Sequence, residues 1–231
     1  MQIRIVNEEL MSRLVMRYPV LGPLAQGRPP AAATFPWNQG SRRDVNVLFL
    51  GKTGHGKSSL LNRLTGSDCF PSSDVEACTR DAASAEYDWP GQDGAHLSLV
   101  DMPGLGESIA RDDEYRRLYR EHCRCAGAVV WVLAADRRDH AVDLDALEEL
   151  FGIARPPHLL FALNMVDRLP PLNRRADTLS PQQWQTLYAK RAECARLFGV
   201  AETRIVPVSA ATGHGLADLM SVISHAITCR A

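Results

Sequence analysis

Eight residues, Gly51-Lys52-Thr53-Gly54-His55-Gly56-Lys57-Ser58, fit the G-x-x-x-x-G-K-[ST] spacing of a phosphate-binding loop. The glycines let the backbone wrap closely round a phosphate, because a Cβ would block the approach or forbid the dihedrals. Successive N–H groups then point inward, with the positive end of a helix dipole behind them. On this reading Gly51, Thr53, Gly54, His55, Gly56 and Ser59 belong to the cradle, and Lys57 reaches the β- and γ-phosphates. The Ser58 hydroxyl binds Mg²⁺, a hard cation that takes oxygen ligands. His55 fills space near the base or the helix. It is given no catalytic role, since phosphoryl transfer depends mostly on positioning and charge.

The other chemistry-bearing residues follow at spaced intervals. Asp101 ends an apolar strand, and its carboxylate holds Mg²⁺, usually through water. Gly104, three residues on, offers an N–H to a γ-phosphate because no side chain intervenes. Thr79 is the natural candidate for a switch-loop threonine that closes on Mg²⁺ when a γ-phosphate is present; otherwise it is an ordinary loop residue. Lys57, Thr79 and Gly104 are therefore the residues expected nearest the reacting phosphoryl group. Asn164-x-x-Asp167 reads the base. A carboxylate accepts two hydrogen bonds from the guanine ring N–H and exocyclic amine, whereas adenine would leave it unpaired at a cost of about 1–3 kcal/mol. The usual motif has a lysine whose stem lies on the purine; here Met165 takes that place, and a flexible thioether can still pack on a ring. Ser209-Ala210 fits a loop whose backbone N–H meets the guanine O6, although the dipeptide alone says little.

These residues need a scaffold that presents strand ends. Residues 45–50 are apolar and β-branched, a buried parallel strand, and 58–64 a helix with Leu60, Leu61 and Leu64 on one face. A polar loop over 66–82 follows. Strands over 83–89 and 96–101 form a hairpin about Pro90-Gly91-Gln92-Asp93-Gly94. Helices are expected over 111–125, 142–152, 181–198 and 215–228, and strands over 127–133, 158–163 and 204–208. Ser180 caps the third of these helices, with Pro181 in its first turn. The alternation means an α/β fold: a mostly parallel sheet with helices on both faces and one antiparallel edge strand. Each motif falls at the C-terminal end of a strand, where such sheets bind ligands.

Ahead of this lie residues 1–43. Ile3, Leu10, Leu14 and Val15 suggest an amphipathic helix within 2–18, packed on the domain surface in preference to a membrane or a partner. Pro and Gly then break any regular element over 19–43, a linker. The 231 residues carry a formal net charge of −1, which gives no argument for a nucleic-acid or membrane partner. No apolar run is long enough for a membrane span, and the N-terminus has no signal-peptide core. Six scattered cysteines without a C-x-x-C pair read as reduced thiols of a cytoplasmic protein.

With these motifs in order over residues 51–210, the chain resembles the translation-factor-related (TRAFAC) class of P-loop GTPases. Gly-Lys-Thr-Gly-x-Gly-Lys-Ser-Ser-Leu, Asp-Met-Pro-Gly-Leu-Gly-Glu and Val-Leu-Ala-Ala-Asp-Arg-Arg are similar to Era- and septin-like members, most of all bacterial Era-related proteins of YfjP/YeeP type. The resemblance implies a three-layer P-loop GTPase fold over 44–231 with a six-stranded sheet, GTP or GDP with Mg²⁺ as ligands, and slow hydrolysis coupled to a switch. Leu105 follows Gly104 where small Ras-like GTPases carry a water-positioning glutamine, so no side chain of that motif orients the attacking water. Gly54 stands where potassium-stimulated relatives carry asparagine, so no potassium dependence is inferred. Two functions remain open: a GTPase switch, or a nucleotide-gated module that forms a homodimer across the nucleotide face or binds another protein. Arg80, Arg111, Arg137 and Arg138 are the arginines nearest the motif ends. An ATPase or kinase is disfavoured by Asn164-x-x-Asp167, and an RNA-binding role as in Era has no support, with a single helix expected after residue 210.

Overall fold

Along β1 (Val45–Leu50) the side chains alternate between two apolar layers. Val47 and Phe49 enter one and Leu48 and Leu50 the other, all fully buried. A strand apolar on both faces must be covered on both, and that requirement organises the molecule. The computed structural model describes residues 45–71, 82–88, 96–172 and 178–228. The expected N-terminal helix and linker, the hairpin turn at 90–94, Thr79 and Arg80 lie outside the described residues.

β3 (His96–Asp101), β4 (Ala128–Ala134), β5 (Leu159–Asn164) and β6 (Ile205–Pro207) form a parallel array with β1. β2 (Ala83–Asp88) pairs antiparallel with β3 at one edge. The resulting six-stranded order is β2-β3-β1-β4-β5-β6. The strand order therefore reverses at β1, the place where doubly wound sheets open a ligand crevice.

α1 (Lys57–Thr65) and α5 (Leu216–Thr228) cover one face, bringing Leu60, Leu61, Leu219 and Ile223 onto Val47, Phe49, Val130 and Val132. α2 (Ile109–Cys123), α3 (Ala141–Phe151) and α4 (Pro181–Phe198) cover the other. There Tyr119, Leu147, Leu187 and Phe198 meet Leu48, Leu50, Trp131 and Phe161. Each large apolar side chain removed from water contributes roughly 1.5–3 kcal/mol, so these two layers dominate the fold's stability. The three-layer architecture is the one expected.

Element ends differ from expectation by a residue or two, for local reasons. α2 begins at Ile109, two residues early, because Ser108 adopts an extended backbone and its hydroxyl accepts from the Arg111 N–H. β5 extends to Asn164, which pairs with Ala134 as the last rung of the ladder. The α4 cap is a full capping box: Ser180 accepts from the Gln183 N–H, and the Gln183 side chain accepts from the Ser180 N–H.

Candidate nucleotide-binding site

The phosphate loop leaves β1 at Gly51, whose φ of +135° few other residues adopt. A Cβ there would lie 2.5 Å from the Val132 carbonyl oxygen of β4, so the loop approaches the neighbouring strand as only glycine can. α1 then starts at Lys57. Its cap, Gly56, offers no side-chain acceptor, and its first turn holds no acid. An anion at this end would meet the helix dipole without a competing carboxylate on the helix itself.

Lys57 Nζ donates to the carbonyls of Gly51, at 3.1 Å, and Lys52, at 3.2 Å. The side chain lies across the loop mouth, buried at 6% exposure. Burial lowers its pKa from the ordinary 10.5, opposed by the charges of Asp101, Asp143 and Glu107. Ser58 Oγ donates to Asp101 Oδ2 at 2.5 Å. Two of the three groups expected to meet Mg²⁺ thus stand together, a hydroxyl from α1 and a carboxylate from β3. The donor set is all oxygen and of the kind Mg²⁺ takes alongside nucleotide phosphates.

The loop after β3 is laced to the phosphate loop. The Thr53 N–H donates to the Leu105 carbonyl at 2.7 Å, and the Leu105 N–H to the Gly51 carbonyl at 3.2 Å. Gly104 lies so close that a Cβ would sit 2.3 Å from Thr53 Oγ1 and 2.8 Å from Lys57 Nζ. Leu105 is fully buried among Leu48, Leu50, Tyr119 and Leu133. The residue after Gly104 is thus a core residue turned away from the loop mouth.

At the far end of the crevice, Asn164 Nδ2 donates to the carbonyls of His55, at 3.0 Å, and Gly56, at 3.4 Å, while its Oδ1 accepts from the Ala210 N–H at 3.2 Å. One amide therefore holds the phosphate loop and the loop after β6 together. Met165 adopts a left-handed backbone, φ 63°. Its Cε lies 3.2 Å from where a Gly56 Cβ would stand. Asp167 follows in a short 3₁₀ turn, and its Oδ1 accepts from Ser209 Oγ at 2.5 Å. Ser209 and Ala210 are thus hydrogen-bonded to Asp167 and Asn164, a link the Ser-Ala dipeptide did not announce.

His55 is buried beneath the loop, its Nδ1 donating to the Val132 carbonyl at 3.0 Å. Burial lowers its pKa below 6.5, against the raising charge of Asp143. Its ring therefore packs against β4. Gly54, with φ +80° and open space round it, lines the outer loop, and Ser59 lies in the first turn of α1.

Sequence reasoning missed four neighbours of the site. Tyr119 of α2 is fully buried and donates to the Pro103 carbonyl and, at 3.5 Å, to that of Gly51. Gln183 donates to the carbonyls of Leu169, at 3.0 Å, and Asp167, at 3.5 Å, bracing the base-side turn from α4. Asp143 is fully buried, accepts from Trp131 Nε1 at 2.8 Å, and raises the proton affinity of both His55 and Lys57. Glu107 accepts from Thr53 Oγ1 at 3.5 Å. Only Glu107 carried a signal, as the acid closing the Asp-Met-Pro-Gly-Leu-Gly-Glu phrase.

Against known proteins, the family model described as the 50S ribosome-binding GTPase matches residues 46–165. The chain belongs to this GTPase family. It is 36% identical over 162 residues to YfjP of Escherichia coli (strain K12), described as uncharacterized, an alignment covering 70% of this chain and 55% of YfjP. YkfA of the same strain is 35% identical with the same coverage of each chain, so this chain spans about half the length of these relatives. Among solved structures, Era in complex with MgGDPNP and nucleotides of 16S ribosomal RNA shares the fold: TM-score 0.62, 21% identity, 78% of this chain and 56% of Era. So does Toc33 from Arabidopsis thaliana with GDP and Mg²⁺: TM-score 0.59, 18% identity, 81% of this chain and 85% of Toc33. Family membership supports GTP binding. Among the described residues, no helix is long and apolar enough to cross a membrane.

Proposed function

We propose that the chain is a cytoplasmic, guanine-specific nucleotide switch that binds GTP and GDP with Mg²⁺ and hydrolyses GTP slowly. One observation carries the reading. The Asn164 side chain joins the phosphate loop to the loop after β6, while Ser209 holds Asp167 beside them. The groups proposed to bind phosphate and to read the base are thereby one hydrogen-bonded body.

The roles follow from chemistry. Lys57 exchanges its loop carbonyls for β- and γ-phosphate oxygens and carries its charge into a dry site, where it acts strongly. The N–H groups of Gly54, Gly56, Lys57 and Ser58 receive phosphate oxygens at the head of α1. Ser58 and Asp101 hold Mg²⁺, which when bound neutralises charge developing on the phosphates. Thr79, outside the described residues, is the proposed switch threonine that closes on Mg²⁺ when a γ-phosphate is present, and Gly104 gives its N–H to that phosphate. Asp167 pairs with guanine N1–H and N2–H, with Met165 under the purine and the Ala210 N–H at O6.

A second reading, a nucleotide-gated homodimer or assembly module, is favoured by burial of Leu105. The position that supplies a water-orienting side chain in Ras-like enzymes is spent on the core. Dimerisation is described as important for the GTPase activity of the chloroplast translocon components atToc33 and psToc159, whose fold is similar.

The test is a titration of the protein with fluorescent GTP, GDP, ATP and ADP in Mg²⁺. Guanine nucleotides are expected to bind at least tenfold more tightly than adenine nucleotides, since the half-buried Asp167 carboxylate left unpaired against adenine costs over ~1.4 kcal/mol. Equal affinity for GTP and ATP removes the reading.

A further inference from the structure

With Leu105 in the core, the water that attacks a γ-phosphate needs another partner, and the chain supplies a carboxylate two residues later. Gly106 turns the backbone at φ +87°, and its N–H is held by both Asp112 oxygens, at 2.9 and 3.0 Å. The turn returns Glu107 to the phosphate loop. Its Oε1 accepts from Thr53 Oγ1 at 3.5 Å, and its side chain is only 11% exposed. Arg111, one turn along α2, donates to Oε2 at 2.8 Å. The two carboxylate oxygens thus have different duties: one anchored to α2, one aimed at the loop.

The Thr53 hydroxyl and the Lys57 ammonium both crowd against Gly104, where a Cβ would stand only 2.3 and 2.8 Å from them. Glu107 is also among the negative charges that raise the proton affinity of Lys57, after Asp101 and Asp143. So a carboxylate oxygen, a hydroxyl and an ammonium face the side on which a γ-phosphate meets Lys57. On this chain no glutamine follows Gly104 to do the same work.

We propose that Glu107 is the catalytic carboxylate of this GTPase, accepting a hydrogen bond from the attacking water together with Thr53, and that Arg111 is its positioning residue. The assignment rests on the GTPase reading above. In the step, the water oxygen bonds to the γ-phosphorus and the bond from phosphorus to the β–γ bridging oxygen breaks. The electron pair leaves on GDP, and the water proton passes to the phosphate released. Glu107 orients the water and finishes ionised, as it began. A carboxylate held in cis with no cationic finger fits slow turnover.

The experiment compares the full chain with E107Q, T53V and R111A. Binding is read with a non-hydrolysable fluorescent GTP analogue, chemistry by single-turnover hydrolysis, and transition-state fit by the gain in GDP affinity on adding aluminium fluoride. E107Q is expected to bind the analogue within about twofold of wild type and hydrolyse about 100-fold more slowly. It also loses the aluminium fluoride gain, which a merely structural carboxylate would leave in place. T53V and R111A lose turnover by smaller factors at unchanged analogue affinity. If E107Q binds normally and turns over within about threefold of wild type, the assignment is overturned while the GTPase reading stands. A wild-type chain that binds no GTP overturns both.

Discussion

Ser209 Oγ donates to Asp167 Oδ1 at 2.5 Å, tying the loop after β6 to the turn after β5. A hydroxyl bonded to a carboxylate fixes the carboxylate's plane, and a fixed plane is what two-point recognition of guanine requires. Ser209→Ala is therefore expected to weaken GDP binding by about tenfold, the worth of one charge-assisted hydrogen bond. Asp167→Asn is expected to shift preference from guanine to xanthine nucleotides, whose ring carbonyl matches the new amide. Titration of both variants with fluorescent GDP and XDP checks this, and an unchanged GDP affinity in Ser209→Ala would mean that the backbone alone positions Asp167.

The site's frame was legible because each motif sits at the end of a strand whose apolar run is unmistakable. What stayed hidden depends on tertiary contact. Tyr119 and Tyr115 lie one helical turn apart on a charged helix, and nothing local says which one reaches Pro103 and Gly51. Gln183 completes the Ser180 capping box, and its amide also braces Asp167. Asp143 looks like an ordinary first-turn acid of α3 until Trp131 is laid over it. Leu105 looked like a motif position lacking its glutamine, whereas the β1–α2 core claims it.

Gly104 and Gly54 should answer alanine substitution differently. At Gly104 the new methyl meets the Thr53 Cα at 2.7 Å as well as two side-chain ends, so backbone has to move. The hydrogen bonds lacing Thr53 and Leu105 part with it. Gly104→Ala is expected to cost about 1–3 kcal/mol, as overpacking does, and to weaken GTP binding. Gly54→Ala meets nothing within 4 Å and carries only the strain of φ +80°, roughly 1–2 kcal/mol. Urea denaturation gives both costs, and GTP titration separates them: Gly54→Ala retains more affinity than Gly104→Ala.

Met165 holds a left-handed backbone that β-branched side chains resist. Met165→Val is expected to destabilise the chain by about 1–3 kcal/mol. Met165→Lys, unbranched at Cβ, should stay within about 0.5 kcal/mol of wild type. Thermal melts without nucleotide read this directly. Equal melting temperatures for the two variants would show that the turn relaxes to another conformation.

His55 makes stability depend on pH with a defined sign. Burial lowers its folded pKa below 6.5, so at pH 7 it is neutral and bonded to Val132 in the fold. As pH falls through 6.5 the unfolded chain gains a proton that the fold refuses. The unfolded state then binds more protons, and stability falls toward acid. His214, also lowered by burial, acts in the same direction. His55→Gln removes the His55 share, so the variant should lose less stability than wild type between pH 7 and pH 5. Denaturation at the two pH values measures it, and parallel losses would place the His55 proton outside the balance.

Turnover should depend on protein concentration. Unassisted hydrolysis is expected on the order of 10⁻⁴ to 10⁻² per second, the range of intrinsic GTPases that lack a finger supplied in trans. Arg111 is engaged by Glu107 within its own chain, which leaves it poorly placed to serve a second copy. Arg137 and Arg138 are exposed on the turn after β4. Asp139 of that turn pairs with Lys52 of the phosphate loop at 3.4 Å, so the two arginines stand at the nucleotide mouth. Were a second copy to dock across that mouth, as the assembly reading proposes, it would receive a cation beside its γ-phosphate, the charge that a carboxylate alone does not supply. The rate per mole of protein is therefore expected to rise on concentrating, and Arg137→Ala with Arg138→Ala to flatten the rise without changing the dilute rate. Steady-state phosphate release over a wide range of protein concentration decides it. A rate above about one per second in dilute protein, unchanged on concentrating, would mean that groups within one chain suffice.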